Sequence, residues 1–191
     1  MKNAAKSIPD RFIYEMVNGK PIYYSGYKKN LKGKNNTKDP MGSSFLQSMI
    51  ITNLVVFLFN KLGKKYYIFT NELGIQFSKG NWRAADIAIY DKSQIDITKA
   101  NNKYINIPPK IVIEIDTKAE IEDIKDTFTY YNEKTDQLLD FGVEKVIWIF
   151  TDSKKILVAD KNKEWTLNDW SKEISVVGKT KFNINKLIDS I

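Results

Sequence analysis

The stretch Val143-Glu144-Lys145-Val146-Ile147-Trp148-Ile149-Phe150 ends in five consecutive apolar residues, and a strand of that kind is stable only when both of its faces are covered. A chain built around it is expected to fold as a mixed α/β sheet flanked by helices. The flanking segments supply those layers. A helix is expected from Gly42, capped by Ser43 or Ser44 and closed at Leu62-Gly63, with apolar residues nearly all round and hence well buried. Strands follow over residues 66–70, 74–78 and 83–90. A second helix places Tyr130 or Tyr131, Lys134, Leu138 and Phe141 at helical spacing and ends at Gly142. Beyond the apolar strand, residues 155–159 are expected to pair back as an edge hairpin. Residues 164–167 with Trp170, and then Ser175-Val176-Val177 and residues 182–188, finish the chain.

Ahead of this core, Asn18-Gly19 between Phe12–Val17 and Lys20–Tyr24 marks a β-hairpin. Residues 26–40, rich in Lys, Asn and Gly, are expected to form a loop. The whole is expected to be a single domain over 1–191: an N-terminal hairpin and loop (1–41), a core (42–160) and a C-terminal extension (161–191).

Composition removes whole classes of chemistry. With no histidine and no cysteine there is no thiolate zinc site, no cysteine nucleophile and no serine-histidine triad. Any metal site must use hard oxygen ligands, which suit magnesium, manganese or calcium. The balance of 30 Lys+Arg against 23 Asp+Glu, a net charge of +7, favours a polyanionic partner such as nucleic acid; a solvated lysine-rich surface has the same composition. No signal peptide is visible, and the apolar run 49–59 falls short of the roughly 20 residues a membrane span needs. A cytoplasmic protein with no membrane association is expected.

Chemistry-bearing residues stand where strands should be apolar. In Pro108-Pro109-Lys110-Ile111-Val112-Ile113-Glu114-Ile115-Asp116-Thr117, Glu114 and Asp116 share one face by alternation, and Asp86 lies inside the apolar run 83–90. Such acids are either exposed decoration or a site. Lys134 lies on the apolar stripe of its helix, where it either snorkels to solvent or turns inward. If the two acidic strands are neighbours, Asp86 and Glu114 would hold a hard divalent cation, with Asp116 a further ligand. Lys134 would then orient or help deprotonate a water, or stabilise charge on a phosphate.

This ordered set of short motifs resembles the PD-(D/E)xK nuclease superfamily, and within it the Uma family of restriction endonucleases. The likeness rests on Asp86, on the run PPKIVIEID, and on Lys134 eight residues before Gly142-Val143 with Trp148 beyond, and it spans about residues 14–159. It implies a restriction-endonuclease-like fold and a metal-dependent endonuclease acting on DNA with Mg2+ or Mn2+. Asp86 and Glu114 would be the metal ligands, and Asp86, Glu114 and Lys134 the catalytic set. Ala85 stands where the family usually has proline, and Ser44 or Gln47 where it often has histidine, which makes Gln47 an auxiliary candidate. Asp116-Thr117-Lys118 also spells D-x-K, so Lys118 rivals Lys134. A homodimer is expected if both strands of a duplex are cut. The alternatives are a catalytically inactive nucleic-acid-binding or scaffold protein on the same fold, and an interaction module with no nucleic-acid role. Trp165 and Trp170 fit either base stacking or core filling.

Overall fold

The computed structural model describes residues 8–31, 42–124, 126–161 and 163–189. Strands β1 (Ile13–Val17) and β2 (Lys20–Tyr23) form the N-terminal hairpin, and α1 (Tyr27–Leu31) follows. Next come α2 (Phe45–Leu62), β3 (Tyr66–Ser78), β4 (Asn81–Asp91), β5 (Ile111–Ile115), α3 (Thr127–Phe141) and β6 (Lys145–Phe150). The chain closes with β7 (Lys155–Asp160), β8 (Thr166–Asp169), a small ribbon of β9 (Ile174–Ser175) and β10 (Lys181–Phe182), and α4 (Ile184–Asp189). Eight strands make one mixed sheet in the order β2-β1-β4-β5-β6-β7-β8, with β3 also paired to β4. The β5–β6 pair is parallel and is linked through α3; the other pairs in the sheet are antiparallel.

Both faces of the central strands are covered, as their composition requires. Ile111, Ile113 and Ile115 join Ile87, Ile89, Ile147 and Ile149 on one face, against Ile50, Leu54, Leu58 and Leu62 of α2. Val112 joins Ala88, Tyr90, Val146 and Trp148 on the other, against Tyr130 and Leu138 of α3. Each fully buried aliphatic side chain contributes about 1.5–3 kcal/mol, so the two helices are held chiefly by these stripes.

Several local features depart from the sequence expectations. The helix from Gly42 begins at Phe45, capped by Ser44, whose side chain accepts from Gln47 N. It is not buried all round. Phe45, Val56 and Phe59 are exposed, because a helix lying on one sheet layer can bury only one stripe. By length and composition alone α2 could cross a membrane, yet its inner stripe is packed on the sheet. Two expected strands over 66–78 are one, β3, interrupted by a bulge: Thr70 pairs with Ile87 and Leu73 with Ala85, so Asn71 and Glu72 together oppose Asp86. The polar linker 91–107 folds back as a strap that bridges Ile105 to Ile75. β7 is not the sheet edge, since β8 pairs outside it. The expected loop at 26–40 contains α1; its residues 32–40 lie outside the described ones. Trp170 is buried in the α2-side core, which settles it as core filling, whereas Trp165 is half-buried against the α3-side cluster.

The turn at Asn18-Gly19 has positive φ at both positions (49° and 77°), as a two-residue hairpin loop requires. Gly142 ends α3 at φ 122°, donating to the carbonyls of Leu138 and Leu139. An added Cβ there would lie 3.2–3.3 Å from the Pro108 ring, where the chain turns into β5. Gly142→Ala is therefore expected to lower stability by about 1–2 kcal/mol in urea unfolding. An unchanged midpoint would contradict that reading of the α3 terminus.

Candidate active site

The sheet register decides which acids meet. β4 and β5 are antiparallel with Ile87 opposite Ile113 and Ala88 opposite Val112. One step further along the same register, Asp86 falls opposite Glu114. The strands part at this point: Asp86 Oδ2 accepts from Ile115 N at 2.8 Å in place of the next ladder bond. Gln47, from the first turn of α2, donates to Ile115 O at 2.6 Å and ties that helix to the end of β5.

α3 delivers the lysine. Asp126 caps it, accepting from Thr129 N at 2.8 Å, and the four-residue spacing of Tyr130, Lys134 and Leu138 turns all three toward the sheet. Lys134 is fully buried. Its Nζ donates to Ala84 O at 2.8 Å and lies 2.8 Å from Glu15 Oε1 and 3.1 Å from Glu114 Oε1. The rings of Tyr14, Tyr130 and Trp148 surround the ammonium at 5.4–5.8 Å from their centroids.

Glu15 and Arg83 complete the cluster, and the sequence reading did not single out either. Glu15 accepts from Ala84 N at 3.2 Å, from Arg83 Nη1 at 2.9 Å and from the Tyr130 hydroxyl at 3.0 Å. Arg83 also donates from Nε to Gln137 Oε1 at 2.8 Å. The signal was present for Glu15: an acid between Tyr14 and Met16 in a hairpin strand breaks alternation as Asp86 does. What the local pattern cannot supply is the β1–β4 pairing that brings it to Lys134.

The acids titrate differently because their partners differ. Burial works against ionisation of Glu15, but Lys134 and Arg83 outweigh it and hold that carboxyl below its ordinary value. Glu114 has only the shared Lys134 to oppose its burial, and Asp86 and Glu15 add repulsion, so its carboxyl is pushed up to about 8. Burial also raises Asp86, partly opposed by the Ile115 N–H and then Lys134. Burial disfavours the Lys134 ammonium, yet Glu114 and Glu15 more than offset this and hold it charged. Glu114 is therefore mainly protonated at neutral pH while Glu15 is ionised. Since the unfolded chain loses the Glu114 proton near 4.5, this residue's contribution to stability falls as pH rises from there through about 8.

The remaining candidates lie around this cluster. Asp116, expected on the Glu114 face, is parted from it: φ of 56° ends the strand, and its carboxylate accepts from Thr151 N at 2.8 Å and Thr151 Oγ1 at 2.7 Å. Lys118 pairs with Glu72 of the β3 bulge. Lys118, Glu72, Asp86, Thr70, Ser43 and Ser48 line a cleft of about 270 Å³ between the α2 N-terminus and β3. Among the described residues no three acids form a metal-ligating group. One buried oxygen is left over: Glu114 Oε1 accepts no well-aligned hydrogen bond.

No family model and no curated protein matches the chain. Among solved structures it is similar to a protein from Anabaena variabilis ATCC 29413 described as a putative nuclease belonging to DUF820. The two align with a TM-score of 0.68 over 92% of this chain and 89% of that one, at 18% sequence identity. The fold is restriction-endonuclease-like. That agrees with the fold implied by the sequence resemblance, and the 18% identity carries the likeness no further than fold.

Removing the charge of Glu15 would leave Arg83 buried without a carboxylate and Lys134 with Glu114 alone. Glu15→Gln is expected to cost about 3–5 kcal/mol in denaturant unfolding. A loss below about 1 kcal/mol would mean that the buried network is not what holds β1, β4 and α3 together.

Proposed function

We propose that this chain is a divalent-metal-dependent endonuclease of the PD-(D/E)xK type, similar to the Uma family, which hydrolyses DNA phosphodiester bonds. The observation that carries the reading is the placement of Asp86 opposite Glu114 where β4 and β5 part, with the buried Glu114 Oε1 lacking an aligned hydrogen bond. An all-oxygen pair of carboxylates fits Mg2+ or Mn2+, which typically take one or two protein carboxylates and keep several waters. Asp86 and Glu114 are the residues that would hold the ion. When bound, it supplies Lewis-acid activation of water and offsets phosphate charge.

The chain's own residues set the conditions. Ile115 N–H fixes the orientation of Asp86, and Gln47 fixes the backbone of Ile115 from the other side. Glu114 must release a proton to become a ligand, so cation affinity is expected to rise with pH toward about 8. Lys134 keeps Glu114 within reach of the ionised form and neutralises Glu15. DNA is the partner that a net charge of +7 favours, and a homodimer would present two sites to the two strands of a duplex. A cytoplasmic location fits this role.

The protonation of Glu114 at neutral pH also favours a second reading, a nucleic-acid-binding protein on this fold without cleavage. Cleavage of plasmid DNA with Mg2+ or Mn2+ decides between them. Asp86→Ala and Glu114→Ala are each expected to lower the rate by about two orders of magnitude or more. Unchanged cleavage in both variants would reject the assigned site. Salt-sensitive binding without cleavage by the wild type would favour the second reading.

A further inference from the structure

α2 carries a second stripe that the fold does not use. Its core face, Ile50, Leu54, Leu58 and Leu62, lies on the sheet. On the opposite side Phe45, Met49, Thr52, Val56 and Phe59 follow one another at steps of four, three, four and three residues. At about 100° per residue these five fall within an arc of about 80°, the width of a coiled-coil seam rather than of a core-facing stripe. Phe45, Val56 and Phe59 are 86%, 55% and 65% exposed, and none of the five joins either core cluster. Thr52 is the polar member. Its hydroxyl donates to Ser48 O at 2.9 Å, so it needs no partner from outside the helix.

Charge, symmetry and area point to one occupant. The stripe lies in the longest uncharged run of the sequence, residues 40–60, in a chain of net charge +7. A second copy, equally basic, is repelled by the protein as a whole and least of all here. The stripe is also symmetric: positions 45 and 59 are equidistant from 52, and 49 and 56 are so to within one residue. A two-fold axis at Thr52, with the two helices antiparallel, sets Phe45 against the partner's Phe59, Met49 against the partner's Val56 and Thr52 against its own counterpart. With about 150–250 Å² for a whole aromatic side chain, Phe45 and Phe59 expose about 230–380 Å² per copy. Met49, Thr52 and Val56 bring the seam to roughly 400–600 Å², and specific interfaces begin at about 500 Å² per partner. A lipid surface fits less well. A helix lying on a membrane turns a charged face to water, whereas the face of α2 behind this stripe is packed on the sheet.

We propose that the outer face of α2 is the surface on which two copies of this chain pair, antiparallel about Thr52. Ser48, Ile51 and Thr52 also line the Asp86 cleft, so the seam runs along its rim and pairing brings both clefts of the dimer beside one axis. This gives a surface to the homodimer of the nuclease reading, and it rests on that reading for the use made of two clefts.

The test is sedimentation velocity of the full chain without DNA, for the wild type, Phe59→Glu and Phe45→Lys. Both side chains are more than half exposed, so both variants are expected to keep the wild-type urea midpoint. The wild type is expected to be a reversible dimer at about 100 µM, and each substitution to weaken self-association at least about tenfold. Mixed in equal amounts, the two variants are expected to recover the dimer, because antiparallel pairing sets the introduced carboxylate against the introduced ammonium at one end and Phe45 against Phe59 at the other. Failure to recover on mixing would overturn the antiparallel pairing. A wild type that stays monomeric at that concentration overturns the proposal, as does a dimer that neither substitution weakens. A monomer that instead co-sediments with phosphatidylcholine vesicles through the same two phenylalanines overturns it in favour of a lipid surface. Plasmid cleavage with Mn2+ in the same samples separates the two readings. A wild-type dimer that behaves as expected and cuts nothing supports the seam and rejects the nuclease, and a monomer that cuts does the reverse.

Discussion

The arrangement depends on one buried cation. The Lys134 ammonium sits between Glu15 and Glu114 with no solvent to share its charge, and bringing it there is worthwhile only because both carboxyls and the Ala84 carbonyl meet it. Each partner arrives on a different element: Glu15 on β1, Ala84 on β4, Glu114 on β5 and the lysine on α3. The network thus fixes the docking of the hairpin and of α3 against the central sheet. It also fixes which acid is charged. Glu15 has Arg83 to itself and shares Lys134, whereas Glu114 has only the shared lysine, so Glu15 ionises readily and Glu114 does not.

This asymmetry separates two tasks that look alike in sequence. Glu15, with four bonded partners, is spent on the fold. Glu114 is left with an oxygen that no aligned donor satisfies, at the point where β4 and β5 diverge and Asp86 has replaced a ladder bond. That oxygen meets only the shared Lys134 ammonium, at 3.1 Å. The bulge opposite Asp86 sets Glu72 and Lys118 at the cleft while Lys134 stays sealed behind Glu114.

Much of this was legible in the sequence, for reasons that can be named. The apolar run 146–150 required a sheet covered on both faces, and alternation put Val112 and Glu114 on one side and the three isoleucines on the other, where the structure has them. The four-residue spacing put Lys134 on one stripe with Tyr130 and Leu138 but left snorkelling and an inward turn both open, and the structure buries it. What failed was non-local or conformational. Pairing of β1 with β4, which brings Glu15 and Arg83 to Lys134, leaves no periodic trace. The left-handed backbone at Asp116, which takes its carboxylate to Thr151, is not a property of period two. Residues 71–72 were read as a break between strands because a bulge and a turn draw on the same backbone conformations. The apolar outer face of α2 gave a buried-helix signal that a single sheet layer cannot honour.

The division of roles between the two glutamates rests on Glu114 being held neutral near pH 7 beside a charged Lys134. Infrared difference spectroscopy between pH 6 and pH 10, comparing the wild type with Glu114→Gln, measures this directly through the protonated carboxyl band. The expected result is a band that disappears with a midpoint near 8 in the wild type and is missing from the variant. A wild type with no such band above pH 6 would show Glu114 ionised throughout, and would contradict the division of roles between the two glutamates.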